Sequence, residues 1–143
     1  MIGLDQDRTL ISKLKEKKMP FIETGCQKLL KKSNAKFVNN FKEFDSKKVK
    51  YIFITVGTPL RESIEVNLNN INLVIEELSK ILLKGHTVIL RSTIGPETTD
   101  YVKKKLEKLT NFKVGKDIFL SFCPERLAEN KALKELSQLP QII

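Results

Sequence analysis

Tyr51-Ile52-Phe53-Ile54-Thr55-Val56-Gly57-Thr58-Pro59 is the stretch on which the fold turns. Its first six residues are β-branched or aromatic with no polar alternation, the pattern of a parallel strand covered on both faces. Gly57 and Pro59 then break the run, so the strand should deliver its carboxyl end into a loop. The same order repeats downstream. Asn67 is placed to cap the longest helix, whose apolar positions Ile71, Val74, Ile75, Leu78 and Leu82 form one stripe. Gly85 closes that helix, and Thr87–Leu90 reads as the next strand, followed by Ser92-Thr93. Pro96 and Glu97 suit the first turn of another helix, where proline's fixed φ fits and an acid faces the positive dipole end. Val102, Leu106 and Leu109 give it a buried stripe. Ile118–Phe122 is a further strand, leading into Cys123-Pro124-Glu125-Arg126.

Working back toward the amino end, Met1–Leu4 is a short apolar run closed by Asp5. Leu10, Ile11 and Leu14 then recur at helical spacing as far as Lys17-Lys18 and Pro20. A short helix over Glu23–Lys32 and a strand over Ala35–Val38 follow. At the other end, a helix near Ala132–Leu136 precedes an apolar Ile142-Ile143. Alternating strand and helix predicts an α/β, Rossmann-like parallel sheet with helices on both faces, in a single domain over residues 1–143. The chain opens directly on a strand and stops inside an apolar run, which reads as a domain clipped at both ends.

Composition narrows the class. With 41% hydrophobic and 30% charged residues in 143, the chain is a globular protein rather than a disordered one. No apolar stretch approaches the roughly 18–20 residues that span a bilayer, and the first residues do not form a signal peptide. A cytoplasmic protein that avoids the membrane is expected. Cys26 and Cys123 show no metal-ligand spacing, so no metal site is expected and Cys26 reads as a small apolar filler. The net charge of +9 raises nucleic acid as a partner. Yet Lys13, Lys31, Lys47, Lys80, Lys104 and Lys134 are spread beside apolar positions without interleaved aromatics, so solvated helix faces are the simpler account and nucleic acid is not expected. His86, the only histidine, follows Gly85 and reads as a surface turn residue.

Ligands of open parallel sheets sit beyond the carboxyl ends of the strands. Four such loops begin at Asp5, Gly57-Thr58-Pro59, Ser92-Thr93 and Pro124-Glu125-Arg126, and they should converge on one crevice. An acid ending a strand in this position accepts hydrogen bonds from an adenosine ribose, or it caps the helix that follows; position alone leaves both open for Asp5. No Gly-x-Gly-x-x-Gly occurs. That loop belongs about 20 residues before the acid, ahead of Met1, so the expected fold lacks its first strand and Gly-rich loop. Glu125 and Glu129 either position a water and take its proton, or are solvated acids, one bridging Arg126.

Four motifs stand in one order: Val56-Gly57-Thr58-Pro59-Leu60, Arg91-Ser92-Thr93-Ile94-Gly95-Pro96-Glu97-Thr98-Thr99, Phe122-Cys123-Pro124-Glu125-Arg126-Leu127-Ala128-Glu129 and Leu139-Pro140-Gln141-Ile142-Ile143. Together they resemble the NAD-binding domain of the UDP-glucose/GDP-mannose dehydrogenase family over essentially the whole chain, and look most like its UDP-N-acetyl-hexosamine branch. The resemblance implies oxidation of C6 of a nucleotide sugar to a carboxylate with two NAD⁺, through an aldehyde and a cysteine thioester, for polysaccharide precursors. It implies that Asp5 holds the adenosine ribose and that Val56, Gly57, Thr58 and Pro59 line the NAD site. Ser92 and Thr93 would lie near the nicotinamide, with the Thr93 hydroxyl holding the hydrolytic water and Glu125 acting as its base. Partial burial would raise the pKa of such a carboxylate. Glu125, Arg126, Leu127, Ala128 and Glu129 would contact a UDP-sugar, with Glu129 also near the cofactor. The family's nucleophilic cysteine and dimer helix follow the position of Ile143, so a homodimer or higher homo-oligomer is expected of the parent and no turnover of this chain alone. A silent nucleotide-sugar-binding module is the alternative. Glu97 stands where the family usually has glycine, and Gly95 where it has proline.

Overall fold

The computed structural model describes residues 1–58, 68–128 and 130–140. Pro59, Asn67, Glu129 and Ile142-Ile143, all singled out above, lie outside the described residues. Two compact units are found, one holding residues 1–44 and 126–140, the other residues 45–125.

In the first unit, β1 (Ile2–Leu4) pairs in parallel with β2 (Lys36–Val38), Ile2 opposite Lys36 and Leu4 opposite Val38. Between them run α1 (Arg8–Lys15) and α2 (Cys26–Lys32). Asp7, not Asp5, caps α1, its Oδ1 accepting from the N–H groups of Thr9 at 2.8 Å and Leu10 at 3.1 Å. Val38, Ile11 and Leu30 are buried at the centre of this unit. The chain returns to it as α5 (Ala132–Gln138), longer than the expected turn and a half. No side chain of its own caps α5. Instead the Glu23 carboxylate accepts from the N–H groups of Asn130 at 2.9 Å and Ala132 at 3.3 Å.

In the second unit, β3 (Tyr51–Ile54), β4 (Thr87–Leu90) and β5 (Phe119–Phe122) form a parallel sheet in the order β3-β4-β5. The connections are α3 (Asn69–Ser79) and α4 (Thr98–Thr110), which pack on each other. Ile71, Ile75 and Leu78 of α3, Val102 and Leu106 of α4, and Ile54, Val88 and Leu90 of the sheet are all buried. Burying one large aliphatic side chain contributes about 1.5–3 kcal/mol, so this cluster dominates the unit's stability.

Several expectations are corrected here. Among the described residues the longest helix is α4, with 13 residues against 11 in α3. Leu109 is exposed rather than part of the α4 stripe. Pro96 and Glu97 precede α4, and Glu97 is its N-cap in the left-handed region at φ 61°. His86 is buried, its Nδ1 accepting from the Leu83 N–H at 3.2 Å, so it braces the turn into β4 instead of facing water. β3 is buried on one face only: Ile54 is 3% exposed, but Phe53 is 60% exposed.

Candidate functional site

The loops after β3, β4 and β5 meet within the second unit, and the ladder of the sheet itself brings them together. Beyond β3 the main chain is held by its neighbours. Arg91 and Ser92 both direct their N–H groups at the Ile54 carbonyl, at 2.9 and 3.2 Å. The Ser92 hydroxyl, buried, donates to the Val56 carbonyl at 2.6 Å. Thr58 Oγ1 donates to the Thr93 carbonyl at 2.6 Å, and Asn70 Nδ2 of α3 donates to the Gly57 carbonyl at 2.9 Å. The carbonyls of Val56 and Gly57 are thus held by side-chain donors, and the Thr58 hydroxyl ties its own residue to Thr93.

Beyond β5, Cys123 N–H donates to the Leu90 carbonyl at 2.9 Å and Glu125 N–H to the Arg91 carbonyl at 3.0 Å. The Glu125 carboxylate pairs with Arg91 Nη2 at 2.8 Å, the arginine side chain 13% exposed and the glutamate 43%. Arg91 is thus an ionic partner of Glu125. The result is an open crevice of about 380 Å³ lined by Thr55, Val56, Gly57, Thr58, Arg91, Ser92, Thr93 and Glu125. Pockets for small ligands begin near 300 Å³.

The whole chain, residues 1–143, matches the family described as "UDP-glucose/GDP-mannose dehydrogenase family, NAD binding domain". The chain belongs to that dehydrogenase family. Among its relatives, it is 31% identical to a UDP-N-acetyl-D-mannosamine dehydrogenase of Methanocaldococcus jannaschii, over 100% of this chain and 33% of the relative. It is 29% identical to a GDP-mannose 6-dehydrogenase of Pseudomonas putida, over 100% of this chain and 34% of the relative. The fold is similar to a solved ternary complex of GDP-mannose dehydrogenase from Pseudomonas aeruginosa, with TM-score 0.89, 29% identity, and 97% and 34% of the two chains covered. It is also similar to a UDP-N-acetyl-mannosamine dehydrogenase from Staphylococcus aureus, with TM-score 0.88, 30% identity, and 99% and 35% covered. The chain spans about a third of the length of these relatives.

For a dehydrogenase of this family, the Rossmann-like α/β architecture and NAD as the cofactor of the domain follow. Of the anticipated residues, Val56, Gly57, Thr58, Ser92, Thr93 and Glu125 come together in the second unit's crevice. Asp5, Arg126, Leu127 and Ala128 belong to the first unit. There Asp5 Oδ1 accepts from the Asp7 N–H at 2.9 Å, and since Asp7 performs the capping, the helix-cap role is removed from Asp5. Arg126 Nη2 donates to the Pro140 carbonyl at 2.7 Å, and Ala128 N–H donates to Glu135 Oε2 at 2.8 Å. Among the described residues no cluster of His, Cys, Asp and Glu is placed to hold a metal, and no helix is long and apolar enough to cross a membrane.

Thr55, Asn70 and Arg91 of the site were missed by sequence reasoning. Asn70 carried no signal, being one of several asparagines ahead of a helix. Arg91 did carry one: a charged residue directly after a buried strand is kept only where a partner meets it.

Proposed function

We propose that residues 1–143 work as one NAD-binding domain of a nucleotide-sugar 6-dehydrogenase, in the cytoplasm, with the cofactor's nicotinamide half seated in the crevice formed by Val56–Thr58, Ser92-Thr93 and Glu125. The single observation that carries this reading is the convergence of three strand-end loops, at the carboxyl rim of a parallel sheet, on a crevice of about 380 Å³. The residues fit that part of NAD: main chain at residues 56–58, tied down by hydrogen bonds to Ser92 and Thr93, lines the crevice, and the exposed Thr93 adds a hydroxyl to the same lining. NAD⁺ held by Val56–Thr58 and Ser92-Thr93 would supply the hydride acceptor for oxidation of a C6 alcohol. Glu125 stands at the same rim as a carboxylate able to take a proton from a water that Thr93 orients. Asp5, freed from capping, is the acid for the adenosine ribose, and Pro59 is assigned to the cofactor by motif alone. Arg126–Glu129 would meet the sugar nucleotide, a UDP-N-acetyl-hexosamine by motif, with Glu129 also reaching the nicotinamide. The parent would be a homodimer or a higher homo-oligomer.

Catalysis needs its groups held together within about 0.5 Å, and the nucleophilic cysteine implied by the family is not among these 143 residues. The chain alone should therefore give no NADH from NAD⁺ with UDP-N-acetylglucosamine or UDP-N-acetylmannosamine. Binding is tested by titrating the ¹⁵N-labelled chain with NAD⁺ to millimolar concentration. Amide shifts should concentrate at residues 56–58, 91–93 and 125. Saturating NAD⁺ that moves none of them overturns the reading.

A further inference from the structure

We infer that Arg91 is a positioning residue, its guanidinium clamping the Cys123–Pro124–Glu125 turn and presenting the Glu125 carboxylate, charged, to the crevice. This rests on the reading of Glu125 given above but draws on separate observations. In the β4–β5 register His86 O accepts from Phe119 N–H and Leu90 O from Cys123 N–H, so the next rung would join Ser92 N–H to the Cys123 carbonyl. That rung is missing, because the Ser92 N–H is directed at Ile54 O on the other side. Arg91 supplies the substitute. Its Nη1 lies 3.1 Å from the Cys123 carbonyl, 3.0 Å from Cys123 Sγ and 3.4 Å from the Pro124 carbonyl, while Nη2 takes Glu125 at 2.8 Å. The Glu125 N–H returns a bond to the Arg91 carbonyl at 3.0 Å, so backbone and side chain lock the same pair.

The chemistry requires arginine. A planar fork with five donors reaches two carbonyls, a sulfur and a carboxylate at once, whereas an ammonium is a single point with no fixed plane. A guanidinium is in general a permanent cation. A permanent cation at 2.8 Å favours the ionised carboxylate, so Glu125 is ready to accept a proton rather than to donate one. The Cys123 sulfur, buried and held by the same guanidinium, serves as part of the clamp.

The test is an NMR pH titration of the Glu125 side-chain carboxyl carbon in the 143-residue chain, without NAD, for wild type, Arg91→Lys and Arg91→Met. In Arg91→Met the Glu125 midpoint should move to higher pH. In Arg91→Lys it should lie between the two, since the charge is kept, while the Cys123 and Glu125 amides shift because the fork is lost. An unchanged midpoint in a folded Arg91→Met chain overturns the proposal. Should Arg91→Met fail to fold, Arg91→Lys decides alone: amides at residues 123 and 125 that superimpose on wild type overturn it equally. Because no cofactor is present, a failed NAD titration would sink the functional reading and leave this result standing.

Discussion

Removing the Ser92 hydroxyl is the sharpest test of how the site is built. Ser92 is 9% exposed, and its Oγ lies 2.6 Å from the Val56 carbonyl. In Ser92→Ala the net worth of one hydrogen bond is lost, about 0.5–1.5 kcal/mol, and a carbonyl left dry would add about 1–3 kcal/mol. Val56 is half-buried, so water reaches part of the orphaned oxygen and the lower end of that addition applies. The expected loss is about 1–2 kcal/mol. Urea titration followed by tyrosine fluorescence reads the right part of the molecule, because Tyr51 and Tyr101 are the only tyrosines, there is no tryptophan, and both lie in the unit of residues 45–125. At an m-value on the order of 1.5 kcal/mol/M, the midpoint should fall by about 0.7–1.3 M. Thr58→Val is the control. Its bond to the Thr93 carbonyl is equally short but solvent-exposed, so it should cost no more than about 0.5 kcal/mol. Equal losses in the two variants, or none in Ser92→Ala, would refute the claim that burial gives the Ser92 bond its weight.

Other consequences can be checked separately. Glu23→Ala removes the acceptor for the Asn130 and Ala132 N–H groups and should cost about 1 kcal/mol; hydrogen exchange of residues 132–138 should quicken, with α1 unaffected. Asp117 is held below the ordinary aspartate range, first by the Lys113 N–H and then by Lys84. Its contribution is therefore full above about pH 4 and disappears as pH falls through the depressed folded value. Thermal melts of wild type and Asp117→Asn should show that acid loss in the wild type and its absence in the variant. Glu97 occupies the left-handed region, which costs a non-glycine residue about 1–2 kcal/mol. Glycine there relieves the strain but gives up about 0.5–1 kcal/mol of chain entropy. Calorimetry should find Glu97→Gly between neutral and about 1 kcal/mol more stable, and Glu97→Val clearly less stable; a destabilised glycine variant would contradict the strain.

The comparison between Glu97 and Pro96 illustrates what was legible. Proline and an acid near a helix start are sound signals, but they placed the first turn one or two residues early, because a left-handed cap depends on where the preceding loop leaves the chain. Strand cores were easier. Thr87–Leu90 is found as expected, since four apolar or β-branched residues between breakers have few alternatives. Exposure was harder. His86 beside a glycine looks like surface until its ring is seen buried against the Leu83 N–H, and Phe53 looks like core until one face of β3 is seen bare.

By itself, the sequence determined the order of elements, the parallel pairing they imply, and the strand ends at which polar residues gather. Those depend on local pattern: period, breakers and capping chemistry act within a few residues. Only the tertiary structure decided which groups answer one another across long separations. Glu23 caps a helix more than a hundred residues away, and Arg91 replaces a missing rung of the sheet to hold Glu125. A donor and its acceptor carry no mark of each other along the chain, and their pairing exists only once the fold has brought them within hydrogen-bond reach.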